Sequence, residues 1–240
     1  MQTIKFKHQT DLQFVTPVVP ANKALPAWYK NMPLDPDAEG EGPKPWNATA
    51  KSCMPFLDAM TQGYVIPLWS DMHVVVEETS EGERTPRFSW GIGAPRLVDS
   101  HSPGQTRGLP LMEKGYGETA YKLENPWLIQ TPPGYSSLLV APLNNAHPFL
   151  QMFSAVVATD VYFNKINFTF VYTGPADWEG VIPIGTPVMQ IIPFKRVDFK
   201  HEIQQMSESD TALYRSTMNA VASMFRNCYK RLWRRPTRSI

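Results

Sequence analysis

A mainly β fold followed by one C-terminal amphipathic helix is predicted from three observations. Twenty-three of the 240 residues are proline, about twice the usual share of ~5%. A proline inside a helix costs it about 3 kcal/mol, so a chain punctuated this densely is not mostly helical. Short β-branched and aromatic runs crowd between residues 63 and 193, bounded by Pro, Gly and Asn, as strands are. The stretch from Phe194 to Arg235 holds no proline and carries apolar residues at three- and four-residue steps, as one face of a helix does. A hydrophobic share of 42% excludes a disordered chain.

Taken in order, residues 1–50 hold seven prolines and read as an irregular N-terminal extension. Ile4 and Phe6 alternate with polar neighbours and residues 12–19 read as an extended apolar run, after which Pro20, Pro26 and Pro33 break up any regular element. Trp28 and Tyr29 sit in that irregular segment, suited to lie on a core, and residues 35–45 form an acidic, Gly/Pro-rich loop. Residues 51–198 are the β domain. Strands are expected at 63–68, 73–78, 87–91, 127–131, 136–141, 152–159, 166–172 and 188–193. Pro132-Pro133-Gly134 supplies a tight turn between two of them. Residues 92–120 lack periodicity and read as one long loop, a length more often functional than idle.

Residues 207–235 are the helix and its basic tail. Ser207 is an N-cap candidate, with Glu208 and Asp210 in the first turn. Leu213, Thr217, Val221, Met224, Phe225, Cys228 and Leu232 line one face. That face is expected to pack on the domain or to dock on a neighbouring subunit.

From Arg226 onward there are six basic residues and no acidic one, which leaves the rest of the chain net negative. Contact with nucleic acid or an acidic partner is therefore expected only through this tail, at Arg226, Lys230, Arg231, Arg234 and Arg235. The plainer reading is a cationic helix end that complements the helix dipole. Cys53 and Cys228 lack the spacing of a zinc site or a disulfide framework and suit a reducing compartment. Met1 to His8 contain no apolar core of a signal peptide. No run approaches the ~18 apolar residues of a membrane span, so no membrane partner is expected. Neither a nucleophile elbow nor a P-loop is present. A facial iron triad needs two histidines and a carboxylate. His73 with Asp71 or Glu77, joined by His147 or His101, is the set available, although Val75 stands where a tight His-x-acid motif would place its acid. No metal and no cofactor are expected.

Four short segments resemble motifs of the trimeric dUTPase family in order and spacing. Gly63-Tyr64-Val65-Ile66-Pro67-Leu68 is similar to the family's Ala-Gly-Tyr-Asp-Leu strand. Thr131-Pro132-Pro133-Gly134-Tyr135 with Leu139-Val140-Ala141-Pro142-Leu143 is similar to its Pro-x-Gly-Tyr and Ala-Pro-Arg-Ser-Gly-Leu stretch. Residues 155–162 are similar to Gly-Val-Ile-Asp-x-Asp-Tyr, and residues 182–192 to Ile-x-x-Gly-Asp-Arg-Ile-Ala-Gln-Leu-Ile. The resemblance implies a β-clip, a dUTPase-like barrel of short strands, and a homo-oligomer, commonly a trimer. It implies ligand-binding candidates at Tyr135, Asn144, Asn145, Asp160 and Gln190.

The family's water-activating aspartate is replaced by Ala158, its Arg-Ser-Gly by Leu143-Asn144-Asn145 and its first-motif aspartate by Val65. Alanine cannot act as a base, and leucine cannot give arginine's bidentate phosphate contact. The fold is therefore expected without the dUTP chemistry.

A second resemblance covers more of the chain. Lys51 to Ala59, Gly63 to Leu68, Trp127 to Ser136 and Gly185 to Arg196 are similar to segments of uncharacterised tailed-bacteriophage proteins. This implies a viral protein, in the host cytoplasm or in the virion, with a virion or host protein as partner. Two classes of function stay open. One is a non-catalytic protein acting by assembly or by binding. The other is a diverged nucleotide hydrolase or mononuclear metal enzyme, with Asp58, Asp71 and Asp160 as carboxylates and His73 and His147 as ligands.

Overall fold

The structure is a computed structural model that describes residues 2–9, 15–35, 48–91, 96–116, 119–223 and 228–235. Met224, Phe225, Arg226 and the expected acidic loop beyond Asp35 lie outside the described residues. The chain forms two compact units interleaved in sequence. The first takes residues 1–24 and 63–196, the second residues 25–62 and 197–240. The N-terminal fifty residues thus contribute to both.

The first unit is the β domain. Its five-stranded sheet runs β11 (Ala155–Val157), β9 (Tyr135–Val140), β14 (Pro187–Lys195), β3 (Tyr64–Pro67) and β2 (Val19–Pro20), all antiparallel. A four-stranded sheet runs β10 (Leu150–Met152), β12 (Phe168–Tyr172), β7 (Tyr121–Leu123) and β6 (Val98–Ser100). Three strands, β13 (Gly180–Ile182), β4 (Met72–Glu78) and β5 (Arg84–Trp90), make a third sheet, and β1 (Lys5–Lys7) pairs with β8 (Leu128–Gln130). Among the described residues these sheets do not close into a barrel, and the outer edge of β8 makes only an isolated bridge, Leu128 to Lys165.

Prolines help to set those breaks. Pro187 faces Pro67 across the β14–β3 ladder, where the register shifts, because neither residue can donate to a partner strand. The sheets are joined instead through side chains. Ile66, Leu68, Met72, Leu97, Leu123, Ile129, Phe170 and Ile191 are all fully buried in one cluster. Phe88 of β5 meets Tyr121 of β7 and Phe170 of β12, with ring centroids 4.8 and 5.6 Å apart.

Two expectations are corrected in this unit. Residues 96–116 are not one loop. They hold β6, the single-turn helix α3 (Pro103–Thr106) and a 3-10 turn over Pro110–Lys114. The strand expected at 152–159 is split into β10 and β11 by Phe153 and Ser154.

The second unit is helical. It contains α1 (Ala27–Asn31), α2 (Met54–Thr61), α4 (Glu208–Ser223) and α5 (Cys228–Leu232). Tyr29 is buried and stacks on Phe56 at 6.1 Å. Lys51 reaches over the Tyr29 ring and donates to the carbonyls of Tyr29 and Lys30. Ser207 caps α4, donating its hydroxyl to Asp210 and accepting from the Asp210 N–H, as the first-turn chemistry predicts. Along the expected helix face Cys228 is buried and donates its thiol to the Ala220 carbonyl. No residue of α4 is buried, and Leu213, Tyr214, Met218 and Val221 face solvent. Among the described residues no helix is long and apolar enough to cross a membrane.

Candidate functional site

The four dUTPase-like segments lie on β3, β9, β11 and β14, which are neighbours in one sheet. Asp160 follows β11 in a turn, with the N–H groups of Val161 and Tyr162 both donating to the Ala158 carbonyl. Opposite it stands the turn Pro132 to Tyr135, closed by the Tyr135 N–H on the Pro132 carbonyl. Gly134 has φ +81°, so Pro133 and Gly134 meet the requirements of the two central positions of a type II turn.

One carboxylate ties the two turns together. Asp160 Oδ2 accepts from the Gly134 N–H at 2.9 Å. Arg196 donates to both Asp160 oxygens at 2.8 and 2.5 Å, the bidentate geometry that makes such pairs strong. The same guanidinium reaches the Tyr135 carbonyl at 2.9 Å and the Ser136 hydroxyl at 3.1 Å. The Arg196 N–H completes the clasp on the Gly134 carbonyl. Beneath it the hydroxyls of Thr131, Ser137 and Thr159 form a buried chain at 2.8 and 2.9 Å.

The Asp160 side chain is only 5% exposed. Hydrogen bonding to Arg196, with smaller help from the Gly134 N–H, lowers its pKa to about 2. A general base works best with a pKa near the working pH, so this carboxylate is a structural anion. Its folded pKa lies below the unfolded value near ~3.9. Its stabilisation is therefore present above that value and lost as the pH falls toward about 2. Asp160→Asn is expected to melt below wild type at pH 7, with the gap closing between about pH 4 and pH 2. Thermal melts of both proteins across that window check this, and a gap independent of pH counts against the clasp.

The other three ligand candidates gather at the opposite end of the same ladder. Gln190 is 1% exposed and accepts from the Leu143 N–H at 2.8 Å. It steadies the turn in which the Asn145 N–H meets the Pro142 carbonyl. Asn144 has φ +58°, a conformation asparagine tolerates better than most residues. Along β9 and β14, Tyr135 faces Lys195 while Val140 faces Gln190. Five steps of ~3.4 Å separate these ends by roughly 17 Å. Within one chain, Tyr135 and Asp160 come together, Asn144, Asn145 and Gln190 come together, and the two groups stay apart.

The metal and hydrolase candidates have other partners. Asp71 accepts from the Ile184 N–H at 2.7 Å, and Glu77 pairs with Arg87. His147 accepts from the Phe149 N–H, and burial holds its pKa below the usual histidine value. His73 points to solvent from β4. Among the described residues no three of His, Cys, Asp and Glu gather as a metal cluster. In the second unit Asp58 accepts a two-pronged contact from Arg234 at 2.5–3.1 Å, which raises the arginine's pKa further. Arg234 is thus committed to the fold, and Lys230, Arg231 and Arg235 remain exposed.

A feature that sequence reasoning missed is a cleft of about 270 Å³ in the first unit. His101, Gln105, Thr106 and Leu109 form one wall, with Leu139, Phe153, Phe168 and Met189 among its apolar lining. His101 is held between Gln105 and Thr169, each at 3.0 Å. The Thr106 hydroxyl is buried without a hydrogen-bond partner. The signal available was the length of segment 92–120, but nothing local tied it to Phe153 or Met189. No protein-family model and no curated protein matches the chain.

Proposed function

We propose that this chain is a non-catalytic viral protein that acts by self-assembly or by binding a partner protein, on a dUTPase-like β-clip whose hydrolytic site has been lost. The observation that carries the reading is the Asp160–Arg196 clasp. The retained acid of the catalytic motif spends its lone pairs on a guanidinium and a backbone N–H, and Ala158 stands where the base would be. The convergence of four motif segments in one sheet supports the β-clip. The phage-like segments from Lys51 to Arg196 support a tailed-bacteriophage origin, and with it the host cytoplasm or the virion as location. The unburied face of α4 supports a homo-oligomer, with a trimer as the form the resemblance implies.

Purified protein is expected to release no pyrophosphate or phosphate from any of the four deoxynucleoside triphosphates or dUTP, with magnesium present. It is expected to elute above its monomer mass of 27.2 kDa. Turnover that Ala158→Gly leaves intact and Asp160→Asn abolishes would make the protein a hydrolase and overturn the reading.

A further inference from the structure

We infer that the outer face of the β1–β8 ribbon, with Phe163 and Lys165 beside it, binds single-stranded nucleic acid. The surface belongs wholly to the first unit, and the inference needs neither self-assembly nor a partner protein.

Strand register builds this surface. Lys5 pairs with Gln130 and Lys7 with Leu128, and Leu128 is bridged on its other side by Lys165. Residues opposite one another in an antiparallel ladder point to one face, and alternate residues along a strand share it. Lys5, Lys7, Leu128, Gln130 and Lys165 therefore stand on one face. The other face is given to the core, where Ile129 is fully buried and Phe6 meets Tyr64 with ring centroids 5.1 Å apart.

Phe163 joins the outer face. The Lys7 ammonium sits 5.1 Å from the centre of its ring, yet Phe163 stays 68% exposed, so the side of the ring turned away from Lys7 is open. Tyr162, next in sequence, is 46% exposed. A cleft of about 510 Å³ has Lys7, His8, Leu128, Phe163 and Lys165 in its lining and no acidic residue. The hollow that adjoins it at His8 and Lys165 holds Glu124, which Arg96 neutralises at 3.8 Å. Among the described residues Lys5, Lys7 and Lys165 form no ion pair, and the Lys7 ammonium donates only to the Gln130 side-chain oxygen at 2.8 Å. Three like charges thus surround an open aromatic ring with no counter-charge from these residues.

Single strands are held by this combination, with cations for the phosphates and aromatic rings on which bases stack. A base on the open side of Phe163 places its flanking phosphates beside Lys7 and Lys165. An acidic peptide would answer the lysines and leave the ring without a partner. A duplex keeps its base faces stacked on one another.

The test is fluorescence anisotropy of the full chain with a labelled single-stranded oligothymidylate. Three lysines give a slope of log affinity on log salt of about −2, so affinity is expected to fall roughly 20-fold between about 50 and 200 mM salt. Lys5→Gln, Lys7→Gln and Lys165→Gln together should weaken binding at least tenfold and flatten that slope. Phe163→Ala should weaken binding about fivefold or more with the slope kept, and Phe163→Tyr should restore it. All these sites are exposed, so circular dichroism and melting should match wild type. The same oligonucleotide annealed to its complement should bind more weakly. Binding that is lost with Lys230→Gln, Arg231→Gln and Arg235→Gln on the tail, and untouched by the ribbon substitutions, overturns the inference. So does equal binding of the duplex, of polyglutamate or of phosphatidylglycerol vesicles, which makes the face a general anion surface. No binding at the lower salt overturns it as well.

Discussion

Gly63→Ala is expected to cost about 3 kcal/mol or more, and to leave little folded protein at 37 °C. Gly63 has φ +69°, and a Cβ there would sit 2.1 Å from the Ile191 carbonyl oxygen and 3.2 Å from the Ile192 Cα. The left-handed conformation alone costs an alanine ~1–2 kcal/mol. The clash adds to this because its target is backbone. Ile191 pairs with Tyr64 across β14 and β3, so relief means separating two strands at the middle of the five-stranded sheet. Overpacking of this kind typically costs a further ~1–3 kcal/mol. Gly134→Ala is the control, since Gly134 has φ +81° with nothing within 4 Å of the added carbon. It should show the conformational penalty alone. Equal melting of the two variants would mean that the strands do not approach as closely as described here.

Phe170→Ala is expected to destabilise the first unit by about 3–5 kcal/mol, or roughly 6–20 °C in melting temperature. Phe170 is fully buried in β12 and touches Phe88 of β5 at 5.6 Å and Tyr121 of β7 at 5.8 Å. Truncation opens a void where two sheets meet, and it removes two ring pairs that each contribute ~0.5–1.5 kcal/mol beyond burial. Phe88 belongs to a different sheet, so the loss weakens the junction between sheets more than either sheet. Phe170→Leu, which refills much of the volume, should recover a large part of the loss. Urea titration followed by near-ultraviolet circular dichroism checks both variants. A cost below 1 kcal/mol for the alanine would mean that the junction lies elsewhere.

What could be read from the sequence was local. Pro133 and Gly134 announced their turn because fixed φ on one side and positive φ on the other are properties of single residues. The runs in β9 and β14 were legible because six and nine residues are long enough to display their character. The three residues of β6 are too few to show a period, so the segment around them read as loop. The capping of α4 was legible, whereas the exposure of Leu213, Met218 and Val221 on it depends on tertiary arrangement rather than on residue type.

The candidate site was legible only in part, for the same reason. Asp160 and Gly134 were both picked out by motif, yet the residue that defines their chemistry is Arg196, 36 positions beyond Asp160. It stood at the end of a different motif with no sign of its partner. Gln190 was found and its partner Leu143 was noted as a departure, but a side chain accepting from a backbone N–H leaves no mark in residue type.

The interleaving of the two units has a consequence for the order in which the protein is made. Every residue of the first unit has been synthesised once position 196 is reached, while the second unit still lacks residues 197–240. At ~5–20 residues per second, those remaining residues take roughly 2–9 s to add. Phe199 and Ile203 follow position 196 by only three and seven residues and are added within about a second, so what the β domain gains time ahead of is the later helix α4 (Glu208–Ser223).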